Sequence, residues 1–192
     1  MPANTPIKVC SRASVLMGGS PISSFDEGTA EAEVVDAMYE DIARAALTST
    51  RWRFATNQQV LNRLAAAPTS RYDAAYQMPS DLLMLSTVTV NDDPIIYDTY
   101  GDKVYCDMST NEVVIADYIY RASESSWPSY FTLAVEFQVA AMLSISIARD
   151  PSLAQMMDQQ GERQMIKARR LDSQQQTTRK LMTSRFIAQR RS

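Results

Sequence analysis

Apolar residues recur first at helical spacing. After Thr5 and Pro6, Val9, Ala13, Leu16 and Met17 fall on one face, and Gly18-Gly19 follow them. A Thr N-cap, a proline in the first turn and glycines at the exit predict a short helix ended by that pair. The loop Ser20-Pro21-Ile22-Ser23-Ser24-Phe25-Asp26-Glu27-Gly28 is dense in turn formers, yet its anchors Ile22 and Phe25 predict that it packs onto the core. Thr29 opens a longer helix to about Thr50, with Val34, Met38, Ile42 and Ala45 on one face and Glu33, Asp36 and Glu40 on another. Acidic residues near its start suit the helix dipole.

From Trp52 the period changes. Arg51-Trp52-Arg53-Phe54 alternates, and a polar extended or hairpin-like stretch runs to Leu64 before a loop rich in Ala, Pro and Ser. Between residues 72 and 121, runs rich in Val, Ile, Thr and Tyr predict strands near 83–90, 94–99, 103–106 and 112–121. Asn91-Asp92-Asp93-Pro94, Gly101-Asp102 and Ser109-Thr110-Asn111 divide them, and Met78-Pro79-Ser80-Asp81 reads as a tight turn. The expectation is a small antiparallel sheet with one face on the helices. Trp127-Pro128 marks the return to helix, with Tyr130, Ala134, Phe137, Ala141, Ile145 and Ala148 as its stripe. Asp150-Pro151 breaks it and caps a further helix, whose apolar face is Leu153, Met157, Met165 and Ala168.

After Leu171 the stripe fails. Asp172 to Lys180 has no large apolar residue, so a core within one subunit is not expected to hold it. Leu181, Met182, Phe186 and Ile187 then reappear among Arg179, Lys180, Arg185, Arg190 and Arg191. Apolar anchors interleaved with arginine beyond a polar spacer point to a tail that docks on another protein, with a frayed terminus as the alternative. The expected fold is α+β, mainly α. It is a bundle of about four helices from residues 1–50 and 128–171, a small inserted antiparallel β lobe at 51–127, and an extended C-terminal docking tail at 172–192.

A chain of 192 residues, 45% hydrophobic, can bury the core that this pattern needs. Its net charge of -3 conceals an asymmetry: residues 160–192 carry nine basic and two acidic side chains, leaving -10 on the rest. Within the basic region Arg163, Lys167 and Arg170 stand at i, i+4 and i+7, a stripe able to meet phosphates or an acidic protein surface. Cys10 and Cys106 have no metal-type spacing and read as free, partly buried thiols. The segment Thr5–Gly18 is too polar for a signal peptide, and Glu136 and Gln138 interrupt the most apolar stretch, so a soluble protein with no membrane contact is expected.

Histidine is absent, which removes the commonest general base and metal ligand and every Ser-His or Cys-His nucleophile. Glu33, Asp36 and Glu40 could gather a hard cation, but a solvated acidic face is the simpler reading. Gly18-Gly19-Ser20 follows a helix and lacks the phosphate-loop pattern, and Thr177 with Lys180 has no partner motif. No catalytic residue, cofactor or metal is assigned.

The order of helix, glycine turn, Pro21-Ile22-Ser23-Ser24-Phe25-Asp26 loop, long helix and Arg51-Trp52-Arg53-Phe54 resembles tail tubular protein A, the head-to-tail adaptor family of short-tailed bacteriophages. Three later stations are similar: Tyr76-Gln77-Met78-Pro79-Ser80-Asp81-Leu82, Tyr118-Ile119-Tyr120-Arg121, and Trp127-Pro128 ahead of a long helix. The likeness covers about residues 7–150. It departs from the family where Gly19-Ser20 replaces the usual Gly-Glu, and the tail does not align, so portal-contact residues are not carried over individually. The resemblance implies a homo-oligomer, a dodecameric ring between the portal protein and a tail nozzle protein of the tail tubular protein B kind. Such a ring surrounds a channel through which genomic DNA passes without specific binding. It implies no catalytic site, assembly in the host cytoplasm and a place at the head-tail junction of the virion. Two other readings compete: a nucleic-acid-binding protein using the basic helix, and an enzyme with carboxylate-only chemistry.

Overall fold

The computed structural model describes residues 4–66, 68–69 and 71–175. It contains four helices and two small antiparallel sheets, about 46% helix and 21% strand, which makes the fold α+β. The helices are α1 (Pro6–Leu16), α2 (Ala30–Thr48), α3 (Ser129–Ser146) and α4 (Pro151–Gln174). Thr5, Thr29 and Asp150 cap α1, α2 and α4, each accepting backbone N–H bonds through its side chain. At the exit of α1, Gly18 takes φ +89°, and a Cβ on Gly19 would lie 2.7 Å from Ser14 Oγ. Both glycines are therefore required, one by conformation and the other by close approach.

Helices α1, α2 and α4 all pack on α3. By length and composition α3 could cross a membrane; here it is the core helix, with Phe131, Val135, Val139 and Leu143 fully buried. Its burial extends round the helix, so the expected single stripe is too narrow, and Ile145, placed on that stripe, is exposed. The buried face of α2 is also turned from the expected one. Ala32, Val35, Tyr39, Ala43, Ala46 and Leu47 face inward while Met38 and Ala45 face out. The physical reason is Tyr39, whose phenol has a buried partner, Glu124, that Met38 could not use.

Strands β1 (Thr56–Val60), β8 (Val114–Tyr120), β4 (Leu82–Val90) and β5 (Asp93–Pro94) form one sheet in the order β1-β8-β4-β5. The second sheet has the order β2-β3-β7-β6, from β2 (Asn62–Arg63), β3 (Ala74–Gln77), β7 (Lys103–Cys106) and β6 (Asp98–Tyr100). One expected sheet is thus two. Their inner faces, Val88, Val90, Val114 and Ala116 against Tyr76, Val104 and Cys106, share a core of their own. The expected strand at 94–99 breaks because the chain changes sheets there, β5 lying in one and β6 in the other. Asn91 and Asp92, at φ 51° and 67°, make the tight hairpin into β5. Ile119 and Ala122, at and just beyond the end of β8, enter the helical core and join the two parts.

Candidate interaction surfaces

The sequence stations of the adaptor resemblance lie far apart in the chain, and five of their side chains meet in space. Ile22, Trp52 and Trp127 are buried in the helical core, with Phe25 and Phe54 packed against it. Phe131 stands among the aromatic rings, its centroid 5.0 Å from Trp52, 4.9 Å from Phe54 and 4.9 Å from Trp127. Trp52 Nε1 donates to the Ala46 carbonyl and Trp127 Nε1 to that of Ala122, each at 2.9 Å, so neither indole leaves a buried donor unpaired. Pro128 directly precedes α3, and its carbonyl accepts from the Phe131 and Thr132 amides. The Pro79 turn closes with the Leu82 amide on the Pro79 carbonyl at 3.3 Å.

In the loop before α2, Pro21, Ser23 and Ser24 are exposed. The Glu27 carboxylate accepts from the Ser23 hydroxyl (2.6 Å), the Ser23 amide (2.8 Å) and the Thr29 hydroxyl (2.8 Å). These donors, the Ser23 hydroxyl foremost, hold its carboxyl down at about 2. A local carboxylate clamp thus sets the shape of this loop.

A charged knot that the sequence reading did not single out ties α2 to the end of β8. Arg121 Nε and Nη2 donate to the two Glu40 oxygens at 3.1 and 2.9 Å, and Nη2 also donates to the buried Glu124 at 2.6 Å. Tyr39 donates to the same Glu124 oxygen at 2.9 Å, and the guanidinium lies 5.6 Å from the centre of the Trp127 ring. Burial raises the Tyr39 phenol and carries the Cys10 thiol up to about 12, with Glu124 adding to both. Glu40, expected on a solvated face, is instead held by Arg121 and lowered by its hydrogen bonds. Cys106, also buried, is pushed up to about 11, so neither cysteine is a poised nucleophile.

The C-terminal region departs from expectation at its start. Asp172 was expected to open an unpacked spacer, but it is 4% exposed on α4, which continues to Gln174. Its carboxylate accepts from the Arg53 amide (3.1 Å) and the Tyr130 hydroxyl (2.9 Å), a role invisible to a count of apolar residues. Burial, with Asp172 beside it, pushes the Tyr130 phenol up to about 12. Arg53 Nη1 donates to the Gln175 carbonyl at 2.7 Å, so the last described residue is pinned to the junction of helices and sheets. Beside this junction opens a cleft of about 820 Å³, with Arg51, Arg53 and Arg169 facing Asp117 and Asp172. Arg51 is paired with Asp117 at 3.3 Å.

Arg163, Lys167 and Arg170 are all exposed along α4. The proposed docking residues Arg179, Lys180, Arg185, Phe186, Ile187, Arg190 and Arg191 lie outside the described residues. Among the described residues no group of His, Cys, Asp or Glu is arranged to hold a metal ion. No protein-family model matches the chain, and no curated protein sequence matches it.

Proposed function

We propose that this chain is a structural head-to-tail adaptor of a phage virion, with no catalytic role and no cofactor. In this reading it is a four-helix bundle carrying an inserted β lobe and an extended C-terminal tail. Copies form a ring, dodecameric by the family resemblance, that joins the portal to the tail nozzle and lines the DNA ejection channel.

The observation that carries the reading is the order and spacing of the resemblance's stations along the chain. Residues spread from Ile22 to Trp127 pack into one core that connects loop, helices and β lobe. The buried ionisable groups fit a structural role as well. Glu124, Glu136 and Asp172 are each tied to partners from other elements, which holds the two parts of the chain in one arrangement.

The tail supplies the test. Residues 179–192 combine arginine with Phe186 and Ile187, a composition suited to the core and rim of a docking site. A chain lacking 179–192 is expected to keep its circular dichroism spectrum and melting transition yet fail to co-migrate with portal rings of the same phage. A truncated chain that joins portal rings as the full chain does contradicts tail docking. A full chain that never joins them contradicts the adaptor reading.

A further inference from the structure

We infer that the outward face of α4 docks on the outward face of α2 in a second copy of this chain, joining copies head to tail; the inference rests on the adaptor reading above. Opposite its core stripe, α4 presents Arg163, Lys167 and Arg170 among Met156, Ile166 and Leu171, which are 50%, 65% and 45% exposed. The outward side of α2 carries Glu33, Ala37 and Asp41 around the exposed Glu40–Arg44 pair, with Asp36 on one flank and Met38, 44% exposed, on the other, and remains net acidic. Arg163, Lys167, Arg170, Glu33, Asp36 and Asp41 belong to no ion pair among the described residues.

The two faces match in length as well as sign. At the helical rise, Arg163 to Arg170 spans about 10 Å and Glu33 to Asp41 about 12 Å. The α4 face is basic and the α2 side net acidic, and each has exposed apolar side chains beside its charges, so contact would bury apolar groups and set opposite potentials together.

A two-fold contact of α4 with α4 would set arginine against arginine, and one of α2 with α2 would set carboxylate against carboxylate. The complementary pairing joins different faces. Such a pairing can be satisfied twice in a two-fold dimer or repeated head to tail, and the head-to-tail form, closed into a ring, is the one that fits the adaptor reading. Duplex DNA is the poorer occupant of the α4 face, because Met156, Ile166 and Leu171 have no counterpart on a phosphate backbone. The remainder of the chain outside residues 160–192, at -10, also repels a polyanion.

Sedimentation velocity of the full chain over a concentration series tests this. The wild type self-associates at low ionic strength and less so as salt rises. The triple variants R163E/K167E/R170E and E33K/D36K/D41K each weaken association by at least about tenfold, because like charges then face each other. Mixing the two variants, or combining all six substitutions in one chain, restores it. The substituted residues are exposed, and circular dichroism checks that the fold is kept.

A wild type that stays monomeric, a triple variant that associates like the wild type, or a six-fold variant that does not recover overturns the interface. So does a basic-face variant that loses duplex DNA binding with self-association unchanged, which would assign the stripe to nucleic acid. Portal co-migration separates the two claims. A chain that joins the portal while its self-association ignores these reversals keeps the adaptor reading and loses this interface. Charge-swap behaviour without portal binding does the reverse.

Discussion

Arg121 is the residue on which the most contacts converge, since it binds Glu40 on α2, the buried Glu124 and the Ala122 carbonyl while lying against Trp127. Replacing it by methionine keeps much of the packing volume but leaves Glu124 buried with only the Tyr39 hydroxyl. Breaking a buried pair from one side costs about 3–5 kcal/mol, so Arg121→Met is expected to lower the unfolding free energy obtained from urea titration by about that much. A loss below about 1 kcal/mol would mean that the knot is solvated. Glu136 gives a pH test. Burial raises its carboxyl although Arg12 bonds it at 3.1 Å and works the other way. The folded chain therefore binds this proton more tightly than the unfolded chain does. Its contribution is full below the unfolded carboxyl value and is lost as pH rises through the raised folded one. The melting temperature of Glu136→Gln relative to wild type should accordingly climb as pH rises above about 4, the unfolded carboxyl value. A flat difference there would show that Arg12 compensates the burial fully.

At the scale of elements, the join of α4 to α3 depends on Gly161, which is buried in mid-helix. A Cβ there would lie 3.4 Å from Gln138 Cγ and 3.5 Å from Phe137 Cβ, ordinary contact distances. Alanine therefore fits, and its helix propensity should make Gly161→Ala more stable by up to about 1 kcal/mol. Leucine does not fit and should destabilise by about 2 kcal/mol or more as α4 is pushed from α3. Equal stability of the two variants in thermal melts would contradict the close crossing.

Elements were also where the sequence was most and least legible. Capped helices and turns were readable because Thr5, Thr29, Asp150, Gly18 and Asn91-Asp92 act locally. The face of α2 was not. Its apolar residues, many of them alanine, lie on several sides, and the choice between Met38 and Tyr39 depended on a partner at residue 124. Strand β1 was legible only as part of a polar extended stretch, without bounds, because Thr56–Val60 lies at a sheet edge and is mostly exposed. Asp172 was misread for a related reason. A buried carboxylate is defined by its donors, and these come from Arg53 and Tyr130, distant in sequence.

For the whole molecule, the helices and the paired sheets make one unit, because Ile119 and Ala122 enter the helical core while Arg53 binds the end of α4. Of the candidate surfaces, the basic stripe was legible as spacing alone. The acidic residues Glu33, Asp36 and Glu40 read from the sequence as ordinary solvated helix, because a role in contact with a second copy leaves no mark in the spacing of one chain. The central claim is that the chain stands between portal and tail. Electron cryomicroscopy of the particle neck tests it most directly. The account predicts a closed ring below the portal into which residues 4–175 fit, with successive copies in contact and their C-terminal tails reaching the portal or a neighbouring subunit. A neck in which no density accommodates this fold would contradict it.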